Sequence, residues 1–77
     1  MKVSILNILI MAKIQLNGRK LELNNKHSIF TLLLKYKIDD KKIAVELNGK
    51  IISRNRYKSV YIKNKDNIEI VHFIGGG

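Results

Sequence analysis

Two Asn-Gly dipeptides constrain the fold of this 77-residue chain more than any other feature. Asn and Gly tolerate the positive φ angles of a two-residue turn, so the pair is a strong short-range signal for a β-hairpin. Asn17-Gly18 lies between segments 12–17 and 20–23, in which apolar and polar residues alternate. A period of two residues predicts strands with one buried face. We therefore predict one hairpin here and, by the same reasoning, a second around the other Asn-Gly pair.

The second half of the chain repeats this pattern and adds one more strand. Segments 43–47 and 50–54 flank Asn48-Gly49 and form the second predicted hairpin. Segment 68–73 is predicted as the last strand, and its nearly continuous apolar character favours a central position in the sheet. The connection before it is expected to be irregular or to make a single helical turn, and to bury Tyr57.

A short helix is predicted between the two hairpins. Ser28 stands where a helix N-cap belongs, because its hydroxyl can accept a hydrogen bond from an unpaired N–H of the first turn. Lysines favour the negative end of a helix, and we expect this one to end near Lys37. Its apolar stripe, spaced at i, i+3, i+4 and i+7, consists of Ile29, Leu32, Leu33 and Tyr36.

The order hairpin, helix, hairpin, loop, strand predicts an α+β fold. A mixed sheet of four to five strands with one helix across one face gives two layers around a single core. The final strand is expected beside the first and parallel to it, with the helix in the crossover connection. These features describe the β-grasp architecture.

The formal net charge of +9 raises the question of nucleic-acid binding, since basic domains neutralise phosphates. The lysines are scattered, however, and only segment 35–42 resembles a cluster. Arginine occurs three times, at Arg19, Arg54 and Arg56, and the aromatic residues do not alternate with basic ones in a stacking motif. We therefore expect no dedicated binding of nucleic acid.

The residue types that hold metals are few and dispersed. The chain has no cysteine, which excludes disulfides and thiolate metal sites. His27 and His72 lie far apart in the sequence, and Asp39-Asp40 precedes two lysines in what we interpret as a solvated loop. We expect no metal and no bound cofactor.

We interpret residues 1–11 as an N-terminal extension of a domain that covers 12–77. Met11 resembles a second start, and the native start is expected at either Met1 or Met11. The apolar part of the extension is far shorter than the roughly 20 residues that span a bilayer, so no membrane partner is expected. It also lacks the small-residue cleavage site of a signal peptide.

Gly75, Gly76 and Gly77 follow the last predicted strand directly. Glycine has no side chain to pack and the most backbone freedom to lose, so these residues are not expected to continue the strand. We predict a flexible tail over 75–77 whose terminal carboxylate, on Gly77, is the reactive group. The alternative is an ordinary frayed chain end.

A β-grasp domain with this tail resembles the ubiquitin-like proteins, and in particular the sulfur carrier proteins of thiamine biosynthesis, the ThiS family. The resemblance covers nearly the whole of 12–77, whereas the first eleven residues lie outside the family pattern. The last strand with its tail is the specific signal, because a single Asn-Gly turn is weak evidence. The segments that carry the resemblance are 14–18, 28–33, 44–49 and 66–77.

The resemblance implies a carrier and co-substrate rather than an enzyme, with no catalytic residue of its own. A ubiquitin-activating-like adenylyltransferase would use ATP to adenylate the carboxylate of Gly77. Sulfur from a persulfide-bearing protein would convert the acyl-adenylate to a thiocarboxylate. Thiazole synthase would take that sulfur for the thiazole ring of thiamine, with Gly75 and Gly76 inserted into the partner active sites.

Three residues before the tail are candidates for docking the partners. His72 is interpreted as a strand residue near the docking surface rather than as an acid or base, because no partner residue for it is identifiable. Phe73 and Ile74 are either core residues or apolar contacts for a partner, and the sequence leaves both readings open.

Two other functions remain as alternatives. The small subunit of molybdopterin synthase would share the fold and the terminal chemistry but would deliver sulfur to a different enzyme. The sequence Ile-Glu-Ile-Val-His-Phe at 68–73 favours the thiamine carrier. A basic β-grasp RNA-binding module would make the tail incidental. We expect a cytoplasmic protein, or one of the plastid stroma if the gene belongs to an AT-rich organelle genome, since Ile, Lys and Asn are abundant.

Overall fold

A computed structural model describes residues 11–73. Within them, five strands form one sheet in the order β2-β1-β5-β3-β4, and one α-helix packs on it. This confirms the predicted ubiquitin-like β-grasp fold with a mixed sheet. The elements are β1 (Met11–Leu16), β2 (Arg19–Asn24), α1 (Ile29–Lys35), β3 (Ile43–Leu47), β4 (Lys50–Ile52), a 3-10 turn (Arg54–Arg56) and β5 (Asn67–His72).

Both predicted hairpins are present, and each turns through its Asn-Gly pair. Asn17 and Gly18 have φ values of 50° and 80°, and Asn48 and Gly49 have 53° and 84°. Positive φ at both central residues is the type I′ geometry that suits the twist of the flanking strands. The second hairpin is shorter than the predicted 50–54, because the 3-10 turn begins two residues after β4 ends.

The last strand is central, as its apolar character predicted. It pairs parallel with β1 at Gln15↔Asn67 and Leu16↔Ile68, and antiparallel with β3 from Ile43↔His72 to Leu47↔Ile68. Val71 is nevertheless 54% exposed. The helix covers only one face of the sheet, so the apolar residues of β5 divide between a buried face and an open one.

The helix begins where the sequence indicated. The backbone N–H of Thr31 donates to the Ser28 hydroxyl over 3.1 Å, and the N–H of Ser28 donates to the Thr31 hydroxyl over 2.8 Å. This reciprocal pair satisfies two donors that the first turn cannot pair internally. Including Tyr36 in the buried stripe was wrong. The helix ends at Lys35, so Tyr36 is its C-cap and is 41% exposed.

The core lies between α1 and the covered face of the sheet. Tyr57, after the 3-10 turn, is buried as predicted, and its burial raises the pKa of its hydroxyl. The carboxylate of Asp66 is also buried and accepts hydrogen bonds from the Lys63 N–H and the Asn48 side chain. The fully buried side chains include Ile29, Leu32, Leu33, Val45, Ile62 and Ile68.

The first strand starts at Met11, one residue earlier than predicted. Residues 1–10 lie outside the described residues, so the division into an extension at 1–11 and a domain at 12–77 stays a prediction. Within residues 11–73, no helix is long and apolar enough to cross a membrane.

Candidate functional site

The predicted reactive end lies beyond the described part of the chain. Gly75, Gly76 and Gly77 fall outside residues 11–73, as does Ile74, and their roles stay predictions. The described part of the candidate site is the base of the tail, formed by the second half of β5 and its neighbours.

Asn48 holds the start of β5. Its backbone N–H donates to the carbonyl of Asn67 over 2.7 Å, and its side-chain oxygen accepts from the Asn67 N–H over 2.8 Å. The side-chain amide of Asn48 donates to Asp66 over 2.9 Å. The second Asn-Gly turn therefore connects β3 to β4 and also fixes the entry into β5.

Asn17 holds the middle of β5 from the other side. Its backbone N–H donates to the carbonyl of Ile68 over 2.9 Å, and its side-chain oxygen accepts from the N–H of Ile70 over 2.7 Å. On the β3 side, pairing continues further, since the N–H of Phe73 donates to the carbonyl of Lys42 over 2.9 Å. The strand that leads to the tail is thus held on both sides to Ile70, and on one side to Phe73.

The open face of the sheet carries an apolar surface beside this strand. Phe73 is 65% exposed, Val71 on β5 is 54% exposed, and Ile51 on β4 is 75% exposed. Directly paired residues of antiparallel strands share a face, which places Ala44, the partner of Val71, on this surface too. Ile51, Val71 and Phe73 are called the outer apolar patch below.

Two carboxylates lie on the same face, and one of them, Glu46, separates Ile51 from β5. Glu46 of β3 pairs directly with Glu69 of β5, and Glu46 also pairs with Ile51 of β4. Like charges directly opposite each other across a sheet destabilise it. The chain has only six acidic residues against fifteen basic ones, so this pair forms a local acidic strip on a basic protein.

The exposure of Phe73 excludes one of the two interpretations left open for it. A side chain so exposed is not part of the core, and its role as a partner contact stays a prediction. His72 lies on β5 opposite Ile43 and is also exposed. The other histidine, His27, contacts the Thr31 hydroxyl at 3.1 Å. Among the described residues, no group of three or more His, Cys, Asp or Glu is arranged to hold a metal ion.

A model of the ThiS family matches residues 8–77, which is nearly the whole chain. The chain belongs to the ThiS family. A sulfur carrier protein ThiS of Bacillus subtilis is 42% identical over 65 residues, which make up 83% of this chain and 98% of that protein. The predicted family is therefore confirmed.

Other relatives of this ThiS family member extend the comparison. A thiazole synthase of Magnetococcus marinus is 40% identical over 65 residues, which are 84% of this chain but only 20% of that protein. An uncharacterized protein ycf40 of Porphyra purpurea is 31% identical over 83% of this chain and 90% of its own length.

The fold of this ThiS family member also matches a solved relative. A crystal structure of the thiamine biosynthesis protein ThiS from Geobacter metallireducens superposes with a TM-score of 0.75 at 26% identity. The match covers 84% of this chain and 99% of that one. The β-grasp domain inferred from turn chemistry and periodicity is thus the fold of a solved ThiS protein.

Proposed function

We propose that this protein is the carrier that supplies the sulfur of the thiazole ring of thiamine. It acts as a co-substrate and does not itself catalyse a step. The family match over residues 8–77 is the observation that carries this proposal. The Bacillus relative, which the match spans almost end to end, is a sulfur carrier by name. Family membership also favours this function over an RNA-binding module.

The proposed chemistry takes place at the carboxylate of Gly77. A carboxylate is a poor electrophile, so a partner adenylyltransferase joins it to the AMP part of ATP and releases pyrophosphate. The terminal sulfur of a protein persulfide then attacks the acyl carbon and displaces AMP, which leaves an acyl disulfide. A second thiol attacks the persulfide protein's sulfur, and the thiocarboxylate departs on the carrier. ATP is bound by the partner enzyme, and the carrier needs no cofactor.

Glycines at the end of the carrier suit this chemistry. Gly75 and Gly76 have no Cβ, so their backbone can enter a narrow active site and approach its walls closely. Each extended residue adds roughly 3.3 Å of reach. The absence of cysteine from the chain means that the activated carboxyl cannot be captured by a thiol of the carrier itself.

Thiazole synthase is the proposed acceptor of the sulfur. In Magnetococcus marinus, a protein of that name contains a segment 40% identical to this domain. A carrier-like segment within the chain of a thiazole synthase supports a functional link between the two. The adenylyltransferase and the persulfide-bearing protein are proposed as further partners from the chemistry alone.

The outer apolar patch is proposed to dock these partners, together with His72 and Ile74. Exposed apolar surface beside a functional segment is typical of an interaction site. Glu46 and Glu69 lie on the same face, so the partner surface is expected to be apolar with a basic side chain opposite the two carboxylates. Such a side chain would relieve the repulsion between them.

The compartment is also a proposal. The ycf40 relative of Porphyra purpurea favours a plastid-encoded chain, which would place the protein in the plastid stroma. A cytoplasmic location is the alternative for a bacterial gene.

Intact mass measurement tests the proposed function. The chain is incubated with ATP, the cognate adenylyltransferase and a persulfide donor. We expect an AMP adduct, followed by the mass gain of one oxygen replaced by one sulfur. A chain that lacks residues 76 and 77 is the control and should stay unmodified. Failure of the complete chain to react, or modification of the shortened chain, would overturn the proposal.

A further inference from the structure

Within residues 11–73, the second half of β5 has one backbone edge that pairs with no other strand. The parallel ladder between β1 and β5 contains only Gln15↔Asn67 and Leu16↔Ile68. Beyond it, Asn17 accepts from the Ile70 N–H. After Ile70, the hydrogen bonds of β5 with described residues are all on the β3 side.

The alternation of a strand defines which groups face that edge. The N–H of Phe73 points to β3, where it donates to Lys42. Backbone groups of successive residues point to opposite sides of a strand, so those of His72 and Ile70 point away from β3. Asn17 satisfies the N–H of Ile70. The groups left at the open edge are therefore the carbonyl of Ile70 and both the N–H and the carbonyl of His72.

This edge lacks proline and lysine, two of the residues that commonly protect exposed edges against strand pairing. The chain has no proline, and residues 70–73 read Ile-Val-His-Phe. Of these, Ile, Val and Phe have high strand propensity. Within residues 11–73, no segment pairs with this side of β5 after Asn17.

We infer that this open edge is a docking site for an extended segment of thiazole synthase, which pairs with β5 as an added strand. The inference rests on the proposed function. Strand addition uses main-chain hydrogen bonds for affinity and so needs an open row of donors and acceptors. The edge runs directly into the residues that must enter the partner's active site, so a strand paired here would set the direction in which the tail leaves the domain.

We assign the edge to thiazole synthase because of the position of the edge beside the tail and because of a sequence relationship. The tail must reach that enzyme's active site for sulfur transfer, and the edge begins five residues before Gly75. The Magnetococcus thiazole synthase contains a segment related to this domain, which fits two surfaces that associate closely. A second copy of this chain is the competing occupant and is an outcome of the test.

Amide hydrogen exchange tests the edge in the intact chain. In the free protein, the His72 amide should exchange rapidly, whereas the Val71 amide, within the β3 ladder, should be protected. When thiazole synthase is added, the His72 amide should become protected, with little change at Val71. A complex that forms while the His72 amide continues to exchange rapidly would overturn the inference and leave the proposed function intact. If the complete chain does not bind thiazole synthase, both fail together.

A matched pair of variants tests the proposed hydrogen bond from the His72 N–H to thiazole synthase by measuring affinity. His72→Pro removes the N–H, and proline is tolerated in strands where that group faces an open side. His72→Ala removes the same imidazole but keeps the N–H. We expect His72→Pro to bind thiazole synthase at least about fivefold more weakly than His72→Ala. Equal affinities of the two folded variants would contradict the inference.

The free chain provides the remaining control. Protection of His72 that rises with protein concentration, together with dimers in sedimentation, would mean that a second copy occupies the edge, and would overturn the assignment to thiazole synthase. If His72→Pro does not fold, the exchange experiment on the unmodified chain decides alone.

Discussion

The side-chain oxygen of Asn17 accepts a hydrogen bond from the backbone N–H of Ile70 over 2.7 Å, although the two residues are 53 positions apart. Asn17 also occupies the first position of a type I′ turn, with φ of 50°. One residue therefore closes the first hairpin and fixes the strand that leads to the tail. Asn48 has the same combination of roles at the start of that strand.

Replacing Asn17 by Asp or Gly should separate these two roles. Both residues tolerate the positive φ, but only Asp keeps an oxygen that can accept from the Ile70 N–H. We expect Asn17→Gly to lower the free energy of unfolding by about 1–2 kcal/mol, because it leaves a partly buried donor unpaired. Asn17→Asp should cost less than half as much. Urea denaturation measures both, and equal losses would show that the side-chain bond contributes nothing.

Replacing Asn by Asp should be more destabilising at the second turn than at the first. The side-chain amide of Asn48 donates to the buried carboxylate of Asp66. Asn48→Asp removes this donor and places a second carboxylate beside the buried one, which is unfavourable because the two like charges repel each other. We therefore expect Asn48→Asp to destabilise the protein at neutral pH more than Asn17→Asp does, by about 1–3 kcal/mol. Similar urea midpoints for the two Asp variants would contradict this account.

The contrast shows what local sequence can predict. Each Asn-Gly pair predicted its hairpin because the turn depends on the φ values of two adjacent residues. The bonds from Asn17 to Ile70 and from Asn48 to Asp66 depend on which strands become neighbours, and no short pattern encodes that. The same limit applies to the open edge of β5. It follows from the two-residue overlap with β1, which is a property of register.

The burial of side chains was predicted correctly where the helical periodicity continued. The prediction was wrong where the helix ended early. Ile29, Leu32 and Leu33 are buried as their spacing indicated, whereas Tyr36 follows the last helical residue and turns towards solvent. The central position of β5 and the single helix across one face were also predicted. The continuous apolar run of β5 does not show which of its residues face the open side, and Val71 is one that does.

The N-cap of α1 should contribute measurably to stability. Ser28→Ala removes the oxygen that accepts from the Thr31 N–H, and a cap of this kind is typically worth about 1 kcal/mol. The melting temperature should fall by roughly 4–8 °C in a domain of this size. Thr31→Ser keeps the hydroxyl that pairs with the Ser28 N–H and is the matched control. Thermal unfolding of the two variants compares them, and a Ser28→Ala protein as stable as Thr31→Ser would exclude the cap as a source of stability.

Tyr57 should make the protein sensitive to alkaline pH. Burial raises the pKa of its hydroxyl above the ordinary value of 10.0, and a hydrogen bond with the backbone of Val45 only partly opposes this. In the unfolded chain the hydroxyl ionises first, so its contribution to stability is complete below the unfolded pKa. That contribution is lost as the pH rises through the folded pKa. Comparing Tyr57→Phe with the unmodified chain separates this effect from lysine titration.

We expect the unmodified chain to lose stability relative to Tyr57→Phe between about pH 8 and about pH 11. Urea unfolding at the two pH values measures the difference. Parallel pH profiles for the two proteins would show that the phenol titrates equally in the folded and unfolded states.

The outer apolar patch should matter for association and not for folding. Phe73 is 65% exposed beside the tail, and Leu34 is 59% exposed on the helix, which lies on the other side of the sheet. Replacing either by Ser should change the free energy of unfolding by no more than about 0.5 kcal/mol, because neither belongs to the core. For binding to thiazole synthase, Phe73→Ser should weaken affinity about tenfold or more, as expected for an aromatic contact at the centre of an interface.

Leu34→Ser is the matched control and should leave the affinity for thiazole synthase unchanged. Titration calorimetry with the two folded variants measures this, and an equal loss of affinity, or none in either variant, would place the docking surface elsewhere.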